Sequence, residues 1–355
     1  MWYNSIAMDI KKIVRKNVMS LTAYQAKEVP CKVKLDANES PYGFPEMYKT
    51  LKYLKTNRYP DPEAAALRKA VAKGFGVKPE NILQGNGSDE LIYYLVTTFG
   101  GPVLYPTPTF SMYGIISQAL GEKRVEVSLD NDFDLAVGPM LTALRQERPK
   151  VIFLSSPNNP TGNCFSSDRI LKVLEAASSK AIVVVDEAYQ PFASERGFIP
   201  LLRDYEHLVI MRTLSKIGLA ALRIGFLVGR EEIVNEVNKV RLPFNVNALS
   251  QTVALSAIEK KGLMSQYVKS VVSERKRLFK ELSGIKSIVV YPSEANFILF
   301  RVRNSDRVFE ALLGRGVLVR NMKGAMEGCL RVTVGTPDEN RIFLKALSKA
   351  VIEAE

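Results

Sequence analysis

Four times along the chain a short apolar run ends abruptly in a polar cluster. Pro102 to Tyr105 runs into Pro106-Thr107-Pro108-Thr109-Phe110, and Val151 to Ser155 into Pro157-Asn158-Asn159-Pro160-Thr161-Gly162. Ala181 to Val185 runs into Asp186-Glu187-Ala188-Tyr189, and Leu208 to Arg212 into Thr213-Leu214-Ser215-Lys216. Such runs, spaced by helical patterns, predict buried strands of an α/β fold with a mostly parallel central sheet sandwiched by helices. Ligands bind outside the carboxyl ends of such strands, so the four clusters are expected to meet in one crevice.

Ile224 to Val228 adds a fifth run, and helices are expected at 63 to 73, 88 to 99, 168 to 178, 231 to 240 and 248 to 260. A polar, basic helix around 264 to 283 is followed by strand patterns at Ser287 to Tyr291 and Asn296 to Arg301, then helix and strand again. That change predicts a second, smaller α+β domain. The expected division is an N-terminal arm over 1–34, a segment 35–45 joining the small domain, a large domain over 46–245 and the small domain over 246–355. No Gly/Ser tract separates the two, so the boundary near 241 to 248 is expected to be an elbow. Residues 9 to 21 place Ile10, Ile13, Val14, Val18 and Leu21 at helical spacing among basic residues, which predicts an amphipathic arm for packing on another subunit.

Several function classes are disfavoured. The net charge of +12 arises from 49 basic and 37 acidic residues spread along the chain, so no nucleic-acid partner is expected and the field suits anionic small molecules. No apolar run spans a bilayer and no secretory leader is evident, so no membrane partner is expected. Cys31, Cys164 and Cys329 are too few and too scattered for a disulfide framework or a metal site, and a reducing cytoplasm is the default. His207, the single histidine, has no nucleophile motif beside it and reads as part of a solvated turn.

The clusters suggest a particular chemistry. Asp186 sits at the end of an aliphatic strand, where a buried acid needs a cationic partner such as a protonated ring nitrogen. Lys216 can point an amine into the same crevice, with the Ser215 hydroxyl beside it and the Arg223 guanidinium seven residues on, both suited to phosphate. Gly85-Asn86-Gly87-Ser88-Asp89-Glu90 precedes an apolar helix, where free backbone N–H groups favour an anion. Read singly, each has an ordinary alternative: a turn-capping Asp, a surface lysine, a simple helix start.

Taken in order, the segments Leu21-Thr22-Ala23-Tyr24-Gln25, Leu35-Asp36-Ala37-Asn38-Glu39-Ser40-Pro41-Tyr42-Gly43, Arg58-Tyr59-Pro60-Asp61-Pro62, Gly87-Ser88-Asp89-Glu90, Ser156 to Gly162, Asp186 to Tyr189, Arg212 to Lys216 and Leu330 to Gly335 resemble the fold-type I pyridoxal-phosphate (PLP) aminotransferases, and among them the histidinol-phosphate aminotransferase family. The resemblance covers nearly the whole chain. It implies that Lys216 holds the cofactor covalently and shuttles the substrate proton, that Asp186 pairs with the pyridinium nitrogen, and that Asn159 and Tyr189 bond the ring oxygen. Ser88, Asp89, Ser215 and Arg223 would hold the phosphate, Phe110 would stack on the ring, and Tyr59 would reach the cofactor of a partner subunit, implying a homodimer. Tyr24, Asn38, Arg320 and Arg331 would bind the substrate, a phosphorylated amine, with 2-oxoglutarate and glutamate as the second pair. An aromatic or broader amino-acid aminotransferase is the nearest alternative, followed by a PLP decarboxylase or a non-catalytic PLP-binding module. Two departures stand out: relatives often have Tyr at the position of Phe110, and the Lys216 to Arg223 spacing is one residue short.

Overall fold

A computed structural model describes residues 10–23, 29–45, 47–52 and 54–354. The chain begins with α1 (Lys16–Met19), β1 (Val33–Leu35), α2 (Met47–Leu51) and α3 (Ala65–Phe75). The large domain follows through β2 (Ile82–Asn86), α4 (Ser88–Phe99), β3 (Val103–Thr107), α5 (Met112–Leu120), β4 (Arg124–Ser128) and α6 (Val137–Glu147). It continues through β5 (Val151–Ser155), α7 (Ser167–Ala177), β6 (Ile182–Asp186), β7 (Leu208–Thr213), β8 (Ile224–Gly229), α8 (Glu231–Asn238) and α9 (Ala248–Glu259). The small domain comprises α10 (Lys261–Ser283), β9 (Ile288–Val290), β10 (Phe297–Val302), α11 (Ser305–Gly314), β11 (Val317–Asn321), β12 (Cys329–Thr333) and α12 (Pro337–Ala354).

Seven strands form the central sheet in the order β2-β8-β7-β6-β5-β3-β4. β4, β3, β5, β6 and β7 run parallel, whereas β8 is antiparallel to both its neighbours. Successive side chains of a strand point to opposite faces, and here each face meets its own layer of helices. Ile152, Leu154, Val183, Val185 and Ile210 enter one core with Leu67 of α3, Leu144 of α6 and Val173 of α7. Val151, Phe153, Val184, Val209 and Met211 enter the other with Leu91 of α4, Ile116 of α5 and Val237 of α8. Burial on both faces is why these strands read as unbroken apolar runs.

The smaller sheet has the order β1-β11-β12-β10-β9, with β1 parallel to β11 and the other pairs antiparallel. One face packs on Leu278 of α10, Leu312 of α11 and Phe343 of α12. The expected elbow at 241 to 248 leads into α9, whose Val253, Ala254 and Ala257 still enter a large-domain core, while α10 enters the small-domain core.

The arm departs from its expected form. In place of one helix over 9 to 21 there is a 3-10 turn at Ile10–Lys12, an extended Arg15, and the single turn of α1. Asn17 donates from Nδ2 to the carbonyls of Gln118 and Ala119 at 2.8 and 2.9 Å, and Arg15 to that of Leu120 at 3.2 Å. So short a helix is marginal alone, and bonding the carbonyls of the last turn of α5 in the same chain prevails over continuous helix. Ile10, Ile13 and Met19 remain exposed.

Candidate active site

Strand direction decides which side chains share the crevice. β3, β5, β6 and β7 all deliver their carboxyl ends to one edge of the sheet, and β8, being antiparallel, begins there. Arg223, the residue before β8, therefore joins the clusters that follow the parallel strands. One cleft is lined by Ser88, Asp89, Phe110, Asn159, Asp186, Tyr189, Ser215, Lys216 and Arg223, together with Ser155, Ala188 and Thr213. The first nine are sequence-expected site residues. A larger cavity of about 870 Å³ lies between the Phe192 segment and α10, and none of those residues lines it.

Asp186 closes the floor of the cleft at 3% exposure. Its Oδ1 accepts the Ala188 N–H at 3.1 Å and its Oδ2 the Tyr113 hydroxyl at 2.7 Å. Burial pushes the carboxyl up to about 6, against those two bonds, with Asp89 adding to the rise and Lys216 opposing it. A carboxylate so placed would be relieved by a cation in the cleft, as a protonated ring nitrogen supplies.

Lys216 lies on the 3-10 turn Ser215–Ile217, with its Nζ 5.7 Å from the centre of the Tyr189 ring. The Tyr189 hydroxyl accepts a bond from Asn38 Nδ2 at 2.9 Å, and Asn38 is itself fixed by its backbone bond to Thr333 Oγ1 at 2.9 Å. The short path from Lys216 to Arg223 is taken up by that turn, by Gly218 at φ +102°, by a second 3-10 turn at Ala220–Leu222, and by Arg223 at φ +53°.

Across the cleft, Ser88 and Asp89 open α4, where backbone N–H groups have no partner within the helix. Arg223 Nη2 donates to Asp89 at 3.2 Å. Gly87, at φ +85°, lets the guanidinium in, since a Cβ there would stand 2.5 Å from Nη2. The Thr213 hydroxyl lies 2.9 Å from the Ser215 hydroxyl and 3.1 Å from the Ile224 carbonyl, which fixes Ser215 at the edge of the cleft. A helix start, a guanidinium and a hydroxyl together make a cradle for a phosphate dianion.

Arg331 reaches the cleft from β12, 8% exposed, donating to Asn159 Oδ1 at 2.5 Å and to the Asp36 carbonyl at 2.9 Å, with its guanidinium 5.1 Å from the Phe297 ring centre. Arg320 is exposed on β11 directly opposite Arg331 in the antiparallel register. Tyr59 stands on the surface, 81% exposed, and stacks on Phe244 at 4.6 Å between centroids. Tyr24 lies outside the described residues. His207 is half-buried and bonds the Leu174 carbonyl at 2.9 Å. Among the described residues there is no cluster of metal-ligating side chains and no helix long and apolar enough to cross a membrane.

Two roles were not expected from sequence. Thr213 orients Ser215, and Tyr113 bonds Asp186. The available signal for Tyr113 was its position three residues after Phe110, in the first turn of α5.

Comparison with known proteins identifies the family and the fold. Residues 17–347 match the family Aminotransferase class I and II. A histidinol-phosphate aminotransferase of Aquifex aeolicus is 44% identical over 96% of this chain and 98% of its own, and one of Caldanaerobacter subterraneus is 40% identical over 95% and 98%. A crystal structure of histidinol-phosphate aminotransferase from Sinorhizobium meliloti in complex with pyridoxal-5'-phosphate shares the fold with a TM-score of 0.87, at 22% identity, covering 97% of this chain and 98% of that one.

Proposed function

The chain belongs to the class I and II aminotransferases, and from that premise we propose that it transfers the amino group of L-histidinol phosphate to 2-oxoglutarate. The products are imidazole acetol phosphate and L-glutamate, a step of histidine biosynthesis carried out in the cytoplasm. The enzyme is PLP-dependent. When bound, the cofactor supplies an aldehyde that takes up the amino group and a ring that accepts the electron pair left on the substrate α-carbon.

The chain's own residues do the rest. Lys216 Nζ would anchor the cofactor and, once freed by the substrate amine, would take the proton from the substrate α-carbon and deliver it to the cofactor carbon that carried the aldehyde. The Asp186 carboxylate would pair with the ring nitrogen and favour its protonated form. Asn159 and Tyr189 donate to the ring oxygen, with Asn38 orienting the Tyr189 hydroxyl. Ser88 and Asp89 through their backbone, with Ser215 and Arg223, neutralise the cofactor phosphate, and Phe110 covers the ring face.

The observation that carries the substrate assignment is the cross-strand pair Arg320 and Arg331. Two guanidinium groups directly opposite repel each other, and an anion between them turns that cost into binding; a dianionic phosphate fits better than a single carboxylate. Tyr24 is proposed to complete this pocket. A comparison of kcat/KM for histidinol phosphate, phenylalanine, tyrosine and aspartate tests the assignment, and a preference for any α-amino acid would reject it while leaving the amino transfer intact. Arg331→Ala is expected to lower kcat/KM about a hundredfold with the cofactor retained. Loss of cofactor with unchanged KM would put Arg331 in the wrong pocket.

A homodimer is part of the proposal. Tyr59, Leu242, Phe244 and Leu249 are exposed, an apolar surface suited to a second copy, from which Tyr59 would reach the partner's cofactor phosphate. Sedimentation is expected to give a dimer, and Tyr59→Ala to weaken cofactor retention. A fully active monomer would refute it.

A further inference from the structure

Tyr113 lies in the large-domain interior: its exposure is 0%, yet its hydroxyl bonds a carboxylate of the cleft. The ring is held from two sides. Phe153 stacks on it at 4.6 Å with 3° between planes, and Phe110 meets it edge-on at 5.7 Å and 88°. Phe110 lies two residues before α5 and Tyr113 in its first turn, with the Tyr113 N–H donating to the Phe110 carbonyl at 3.3 Å, so one turn of chain joins a residue lining the cleft to the phenol beneath it.

We propose that Tyr113 is a positioning residue for the amino-transfer reaction, its hydroxyl holding Asp186 in one orientation and in the carboxylate form that a ring nitrogen requires. This rests on the reading that Asp186 pairs with the nitrogen of PLP. Asp186 has two oxygens and two close donors, the Ala188 N–H and the Tyr113 O–H. The amide bond comes from its own turn, two residues on. Tyr113 comes from another element, and only it fixes the carboxylate against the sheet.

The phenol is well suited to this task. Burial and the neighbouring Asp186 hold its ionisation well above the ordinary tyrosine range, so it remains a donor. A hydrogen bond to the charged form of an acid favours that form, offsetting part of what burial imposes on Asp186. The ionisable groups acting on Asp186 are Tyr113 from α5, Asp89 from α4, and Lys216 after β7, with Tyr189 close to the phenol and Arg223 lining the same cleft. Of these, Tyr113 makes the direct bond.

The test compares the affinity of cofactor-free protein for PLP across pH 5 to 9 in the wild type, Tyr113→Phe and Asp186→Asn, with Kd read from fluorescence quenching. Titrations of the free ligand are common to all three and cancel in the ratio of Kd values. Removing the donor is expected to raise the pH at which Asp186 ionises by about one unit, so the Tyr113→Phe to wild-type ratio should approach about tenfold at pH 5, fall to about threefold near pH 6.5 and approach a constant at higher pH. A purely structural role gives a ratio that is the same at every pH, and that result overturns the inference. If the Asp186→Asn ratio is also independent of pH, the pairing of Asp186 with the ring nitrogen fails instead. Should Tyr113→Phe not fold, 3-fluorotyrosine installed at Tyr113, a stronger donor of nearly equal size, must move the midpoint to lower pH; an unmoved midpoint again overturns the inference.

Discussion

Lys216→Ala is expected to abolish amino transfer, with kcat falling by at least about a thousandfold, because one amine both anchors the cofactor and carries the substrate proton. Among the described residues the cleft lining contains no second lysine and no histidine, and His207 is tied to Leu174. The phosphate cradle at Ser88, Asp89, Ser215 and Arg223 is untouched by the change, so PLP should still bind, though without a covalent link. The expected signature is therefore split. Borohydride reduction fixes the cofactor to the peptide containing Lys216 in the wild type and to none in Lys216→Ala, while dialysis still finds reversible binding in the variant. Covalent attachment elsewhere in Lys216→Ala would show that the wrong lysine had been assigned.

Much of this site was legible because the strands that position it are buried on both faces. Such strands need unbroken apolar sequence, and their ends are conspicuous where Asp186 or Thr213 interrupts it. The edge regions were harder. β4 alternates exposed and buried residues, with Arg124 and Glu126 facing out, and β2 carries Gln84, Gly85 and Asn86; neither gives an apolar run. The arm over 9 to 21 has helical spacing, but its conformation follows from hydrogen bonds to α5, a hundred residues away, which periodicity cannot register. Tyr113 was missed for a related reason. A tyrosine among apolar residues in a helix reads as core, and only the tertiary approach of β6 gives its hydroxyl a carboxylate to bond.

Asp186→Asn is expected to have opposite effects on activity and stability. Activity should fall about a hundredfold to a thousandfold, since an amide cannot balance a charged ring nitrogen and the electron pair left on the substrate loses its stabilisation. The cofactor-free protein should nevertheless become harder to unfold at neutral pH. Burial holds the carboxyl at about 6 against an ordinary value of 3.8, so between roughly pH 4 and 6 the folded state keeps a proton that the unfolded chain has lost. Stability from this group is thus greatest below pH 4 and declines as pH rises to 6. The displacement corresponds to about 3 kcal/mol of destabilisation above pH 6, which Asn escapes because it has no charge to bury. Its carbonyl can still accept from Ala188 and its amide can donate to the Tyr113 oxygen, so no buried polar group need be orphaned. Thermal melts of the cofactor-free proteins should show Asp186→Asn unfolding several degrees higher at pH 8, with the gap closing towards pH 4. Saturating PLP should narrow the difference at pH 8 by supplying the wild type with its missing cation. A variant less stable at every pH would mean that the Asp186 carboxylate is already well compensated without the cofactor.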